Sequence, residues 1–179
     1  MWFAEVKAKA KRKNQILFSK DSLLLTDLCQ LIAQANRRAL ILWALELAGK
    51  TTWELAEKYP EDHCPQEAIA ASRAWAAGEI KMPIAKRAIL NCHAMAKELT
   101  NSADIARCHA VGQACSVVHT VGHALGYPMY ELTAIVLEQG LDDCREPIEH
   151  RVRYYEQRLH NWAEHEKSCC QDWASFLRQ

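Results

Sequence analysis

A chain of 179 residues, half of them apolar, has about the length of one domain and can bury a sizeable core without disulfide or metal staples. Its 22 basic and 22 acidic residues cancel. That balance argues against a bulk nucleic-acid binder and against a strongly acidic mimic of the phosphate backbone. No stretch approaches the roughly 20 consecutive apolar residues of a membrane helix, because Ala39 to Ala48 is interrupted by Glu46. The basic segment Met1 to Asn14 is followed only by Ile16, Leu17 and Phe18, too short a run for a signal-peptide core, so a cytoplasmic protein without membrane contact is expected. The eight cysteines include no Cys-x-x-Cys, and Cys169 and Cys170 are adjacent; free thiols in a reducing compartment are expected.

Residues 1–20 read as a frayed basic arm with Lys7, Lys9, Lys11, Arg12 and Lys13 in solvent, and 21–179 as a single α-helical domain. From Ser22 to about Ala48, residues such as Leu25, Leu28, Ile32, Ala39 and Leu42 recur at helical spacing, predicting one long helix or two joined near Asn36, with Gly49 as the stop. Thr51 and Glu54 form a capping box for a short helix to about Tyr59. After the polar loop Pro60 to Pro65, Pro65 suits a first helical position and Gly78 lies just past the end at Ala77. Pro83 opens a helix reaching Leu99. Ser102 is the N-cap expected for a long helix to about Gly126, broken by Tyr127-Pro128, with a shorter helix from there to Gly140. Pro147 starts the last helix, where Ile148, Val152, Tyr155, Leu159 and Trp162 repeat at steps of four and three. The expectation is an all-α, single-domain bundle of about seven helices and no sheet, built around a buried helix rich in small residues.

That central helix, Ala103 to Gly126, carries the residues with chemistry. His109, Gly112, Ser116, His119, His123 and Gly126 fall on one stripe, and internal glycines at 112 and 122 suggest close packing or a ligand against the backbone. His119 and His123, four apart, can share one metal ion, with His93 of the preceding helix as a third ligand. A divalent transition metal such as zinc is the ion this set would take. The His-Glu-x-x-His hydrolase pattern fails at its glutamate, because Thr120 stands there. Histidines hydrogen-bonded within a tight core are therefore the expected reading, and no cofactor is expected. Nucleophile pairs such as Ser116 with His119 lack a turn that would expose them, and no glycine-rich phosphate loop is present. In the middle of the chain Trp75 reads as a core anchor and Gly78 as a C-terminal cap. Arg73 reads as a partner for Glu67, Asp62 or a helix end, while an exposed Arg-x-Trp would also make a binding hot spot.

The run Tyr59-Pro-Glu-Asp-His-Cys-Pro to Arg73-Ala-Trp75-Ala-Ala-Gly78-Glu, then Asn-Cys-His-Ala at 91–94 and His119-Thr-Val-Gly-His123-Ala-Leu-Gly, resembles a family of bacterial immunity proteins of polymorphic-toxin systems, the immunity protein five-like family. The resemblance covers about residues 36 to 130. By position it picks out Pro60, Asp62, Pro65, Arg73, Trp75, Gly78, His93, His119 and His123. Glu61 departs from the family's paired aspartates, and His63 and Cys64 depart from its polar or basic residues. The resemblance implies a role in toxin neutralisation without a known mechanism, and the leading expectation is a non-enzymatic binder that occludes a cognate protein toxin stoichiometrically. Beside it stand a small helical metalloprotein or enzyme using His93, His119 and His123, and a helical scaffold or oligomerisation module. The oligomeric state, a homodimer included, is left open.

Overall fold

Because Ala, Leu and the long charged residues dominate while the prolines sit in loops or first helical turns, the backbone has helix as its one economical way to satisfy itself. The computed structural model describes residues 1–178 and contains, among these, eight α-helices and no strand. They are α1 (Trp2–Lys11), α2 (Thr26–Gln34), α3 (Arg37–Lys58), α4 (Cys64–Ala77), α5 (Met82–Met95), α6 (Ser102–Ser116), α7 (Gly126–Gln139) and α8 (Arg145–His165). Short 3₁₀ turns cover Leu23–Leu25, Val121–His123, Glu166–Ser168 and Ser175–Leu177. No helix among the described residues is long and apolar enough to cross a membrane.

The bundle is organised on α6. It touches α3, α4, α5 and α7, and eleven of its fifteen residues are buried. Small side chains make this arrangement physical: Ala106, Ala110, Gly112 and Ala114 let four neighbours approach one axis. The helix is nevertheless shorter than its composition suggests, ending at Ser116 rather than near Gly126. Ser116 Oγ donates back to the Gly112 carbonyl at 2.9 Å, a bond that competes with regular helix. The β-branched pairs Val117-Val118 and Thr120-Val121 then weaken further propagation. The chain tightens into a turn, His119 and Thr120 both donating to the Ser116 carbonyl, and re-enters helix at Gly126.

Tyr127-Pro128 thus lies in the first turn of α7 instead of breaking a helix. A proline there removes an N–H that would have had no intrahelical partner. Asn101, one residue before the expected cap, starts α6 by accepting from the N–H groups of Ala103 and Asp104 at 2.9 and 3.0 Å. Asn36 starts α3 in the same way through Ala39 N–H at 2.9 Å.

Gly49 does not stop α3, which runs unbroken for 22 residues. Thr51 is buried and bonded to Tyr127 Oη at 2.7 Å, so it serves the core rather than a cap. A Cβ on Gly49 would meet nothing within 4 Å. Gly49→Ala is therefore expected to stabilise the protein by up to about 1 kcal/mol, the interior helix propensity difference, read as a higher urea midpoint. A lower midpoint would contradict this account of α3.

The first twenty residues are not a frayed arm. Trp2, Phe3, Val6 and Ala10 line one face of α1 and pack on the core, while Lys7 and Lys11 are exposed and the part-buried Lys9 bonds Glu5 and Ser19. Leu17 and Phe18 are each 2% exposed, and Leu17 N–H donates to Thr133 Oγ1 at 3.0 Å. The spacing of these few apolar residues was masked by the lysines between them.

A polar network crosses the core. Trp43 Nε1 donates to the Tyr155 carbonyl at 3.0 Å, and Tyr127 Oη donates to the Leu47 carbonyl at 2.9 Å. Glu131, 6% exposed, accepts from Tyr155 Oη and pairs with Arg151 at 3.1 Å. Burial raises the Glu131 carboxyl above its ordinary range, opposed by Arg151 and by the hydrogen bond from Tyr155.

Candidate functional site

Two places gather the residues of interest: the histidines around α5, α6 and the following turn, and the α4 face. His93 projects from α5 onto α6, where Gly112 leaves room for it. A Cβ at Gly112 would stand 2.4 Å from His93 Nε2. The close approach foreseen for this glycine is therefore made by an imidazole. His93 Nδ1 meets His109 Nδ1 at 2.9 Å, and the His109 ring lies 5.2 Å from those of both His93 and Tyr130. In such a pair one ring donates and the other accepts, so both cannot be protonated at once.

His119 and His123 do not share a helix. His119 sits in the turn and His123 in the 3₁₀ segment, with ring centroids 6.2 Å apart. His123 Nδ1 is bonded to Gln113 Oε1 at 2.8 Å. Gly126 permits that bond, since a Cβ there would stand 2.5 Å from the same oxygen. His119 Nδ1 is buried without a partner.

The trio His93, His119 and His123 is therefore not assembled as ligands. His93 uses Nδ1 on His109 and presses Nε2 against Gly112, and His123 uses Nδ1 on Gln113. Among the described residues no three His, Cys, Asp or Glu side chains converge as a metal site requires. The pairing of His93 with His109 was not visible in the sequence, although His109 shared the stripe, because it depends on how α5 packs across α6.

The charges follow from burial. Desolvation pushes His93 down to about 4, with neighbouring His109 and His123 adding to it. It lowers His109 as well, and His119 with further help from His123, Lys86 and Arg37. These three rings are neutral at pH 7. The thiols of Cys108 and Cys115 are pushed up to about 12, chiefly by burial, so they are inert as nucleophiles. All eight cysteines are unpaired.

The α4 region is built differently. Asp62 Oδ1 accepts the Cys64 N–H at 2.9 Å and so opens the helix, with Pro65 buried in its first turn. Pro60 and Asp62 border a hollow of about 420 Å³ beside Met95 and Leu99. Gly78 closes α4 with φ 82°, donating to the Trp75 carbonyl at 2.9 Å, a conformation open to glycine at little cost. Ala174 Cβ lies where a Gly78 side chain would begin, 3.3 Å away, and Ala174 N–H donates to the Ala76 carbonyl at 2.7 Å. The C-terminal segment thus straps the end of α4. Trp75 is half-buried there and stacks on Phe176 at 4.9 Å.

Arg73 takes none of the partners expected for it. It is exposed on the wall of a cleft of about 700 Å³ between α3, α4 and the chain's C-terminal part. Leu42, Leu45 and Trp162 supply apolar wall, and Glu46 on the same wall is held by Arg158 at 2.7 and 3.0 Å and by Trp162 Nε1. Among the described residues Arg73 is the one cation lining this cleft, and it makes no ion pair or hydrogen bond. Sequence reasoning marked Arg73 and Trp75 together, but the fold separates their roles. Arg73 faces the cleft and Trp75 faces the strap.

The family model described as "Imm-5 like putative immunity protein" matches residues 30–158. No curated protein and no solved structure matches the chain. The matched stretch holds Asp62, Arg73, Gly78 and all four clustered histidines, and stops short of both α1 and the C-terminal strap. On that match, which spans well over half of its length, the chain belongs to the Imm-5-like family.

Proposed function

We propose that this chain is an immunity protein that neutralises a cognate protein toxin by stoichiometric occlusion, and that the Arg73 face of α4 is its contact surface. The observation that carries the surface is Arg73 itself, exposed and unpaired on an apolar-walled cleft inside the family-matched region. A guanidinium presents five donors in a fixed fork, and arginine is among the side chains enriched at interface hot spots. Paired arginines elsewhere, such as Arg107 with Asp104 and Arg158 with Glu46, already stabilise the fold. Arg73 has no such role to lose. Glu79 and Asp172 on the same cleft would select a partner with complementary charge and discourage others. The histidine cluster serves packing in this reading, since His93 and His109 are bonded to each other and His123 to Gln113.

The partner is sought in the product of an adjacent reading frame. Co-expression with that product should protect a host from growth arrest. Arg73→Glu should weaken the complex by roughly 30-fold or more, the scale of a hot spot of about 2 kcal/mol, while leaving the melting temperature essentially unchanged. Full protection and unaltered affinity in the variant would remove Arg73 from the contact surface. Failure of the wild-type chain to protect or bind would remove the immunity reading for that partner.

A further inference from the structure

A second hollow, of about 630 Å³, lies between the N-terminal segment and the paired helices α6 and α7. We propose that it is a binding site for a small apolar monoanion, of the chemical class of a medium-chain carboxylate, with Lys13 at the mouth as its charge partner. Its size falls within the roughly 300–1,000 Å³ of small-molecule sites. Leu17, Ala106 and Val136 give buried apolar wall, and Ile105 and Leu141 extend it towards the surface.

The polar side chains of the lining are one ammonium and a set of neutral groups, Ser102 among them. Lys13, Asn14 and Gln15 stand exposed at the rim, and His109 and Tyr130 are half-buried within. Among the described residues no carboxylate lines the hollow, although Asp104 and Glu138 are close by in sequence and are turned instead onto Arg107. The lining therefore carries a cation with no anion, which selects an anionic head and disfavours a cationic one. His109 uses Nδ1 on His93, and its Nε2 has no protein partner. A site of this make-up, with apolar walls and a handful of polar groups that fix orientation, suits an amphiphile better than a fully polar metabolite.

Lys13 is held there at a cost. It has φ 58°, the one non-glycine residue at positive φ among those described. Lys13 N–H donates to the Ala10 carbonyl at 2.9 Å and Asn14 N–H to the Lys9 carbonyl at 3.1 Å, the bonding of a Schellman turn whose left-handed position is ordinarily glycine. Lysine at that position puts an ammonium on the rim, and it makes no ion pair among the described residues. Lys13, Asn14, Gln15 and Leu17 precede the family-matched residues, whereas the walls from α6 and α7 lie within them, so the N-terminal segment supplies the charged rim of the site and the matched region its body.

The test is calorimetry on the full-length protein with sodium dodecanoate below its micellar concentration, against 1-dodecanol and dodecylammonium. Saturable binding of dodecanoate to one site is expected, with the alcohol about tenfold weaker, the scale of one charge-assisted contact, and the ammonium weaker still. Lys13→Gly removes the charge while leaving the turn unstrained, and should bring dodecanoate down to the affinity of the alcohol. Ile105→Phe, which fills the hollow from a half-buried position, should abolish binding of both; its circular-dichroism spectrum and melting temperature verify that it folds. Absence of saturable dodecanoate binding, equal binding of acid and alcohol, or a Lys13→Gly variant that binds as well as wild type would each overturn the proposal.

Discussion

Arg151→Met is expected to destabilise the protein by about 3 kcal/mol at pH 7, the largest effect of any single substitution considered, because it leaves the buried Glu131 carboxylate without its cation. The figure sits at the low end for a broken buried pair because Arg151 keeps 24% of its side chain in contact with solvent whereas Glu131 keeps 8%. Glu131→Gln should cost much less, about 1 kcal/mol, since the amide still meets Tyr155 and the guanidinium can turn to water. The two variants separate the penalty of a stranded carboxylate from the loss of a contact.

The pH dependence carries a definite sign. The folded-state pKa of Glu131 is raised above its unfolded value, so the folded state binds the proton more tightly. The stabilisation from protonation is present below the unfolded pKa and is lost as pH rises through the folded one. In Arg151→Met the folded pKa rises further, and the deficit relative to wild type should shrink as pH falls through it. The lowered histidines act oppositely. His93, at about 4 when folded, makes stability fall as pH drops from its unfolded value near 6.5 towards 4. Comparing variant with wild type at each pH cancels that contribution. Urea denaturation at several pH values from neutral into the acid range would check the trend, and a deficit that grew on acidification would refute it.

Gly112→Ala is expected to cost about 2 kcal/mol, although alanine is the better helix former by about 1 kcal/mol. The added Cβ would lie 2.4–2.8 Å from three atoms of the His93 ring. The ring must leave, and the His93–His109 bond goes with it. In a His93→Ala background the same substitution meets no imidazole, so it should be neutral or stabilising by up to about 1 kcal/mol. A double-mutant cycle therefore gives a coupling of about 2–3 kcal/mol. Equal cost in both backgrounds would mean that Gly112 answers to something other than His93.

Legibility from the sequence followed the physics of each element. The α8 stripe was legible because Ile148, Val152, Tyr155 and Leu159 keep helical spacing, and all four are buried. Gly78 was legible because a left-handed cap strongly selects glycine. The end of α6 was not, since Ala and Gly fit a continuing helix, whereas the chain tightens at His119 and Thr120 onto the Ser116 carbonyl. Gly49 misled for the converse reason: it looks like a stop, but packing of Thr51 and Thr52 carries α3 past it. At the candidate sites, motif positions such as Arg73 and His93 were visible as letters. Their environments were not, because the Arg73 cleft needs Trp162 and Asp172 from the far end of the chain, and the His93 pair needs a helix crossing.

Stoichiometric occlusion, proposed for this member of the Imm-5-like family, is tested most directly by taking a toxic product of an adjacent reading frame as candidate partner and titrating its activity with increasing amounts of this protein. Occlusion predicts a linear fall that ends at one equivalent, with the complex isolable by gel filtration. Inactivation by a small fraction of an equivalent, continuing with time and leaving no complex, would contradict it.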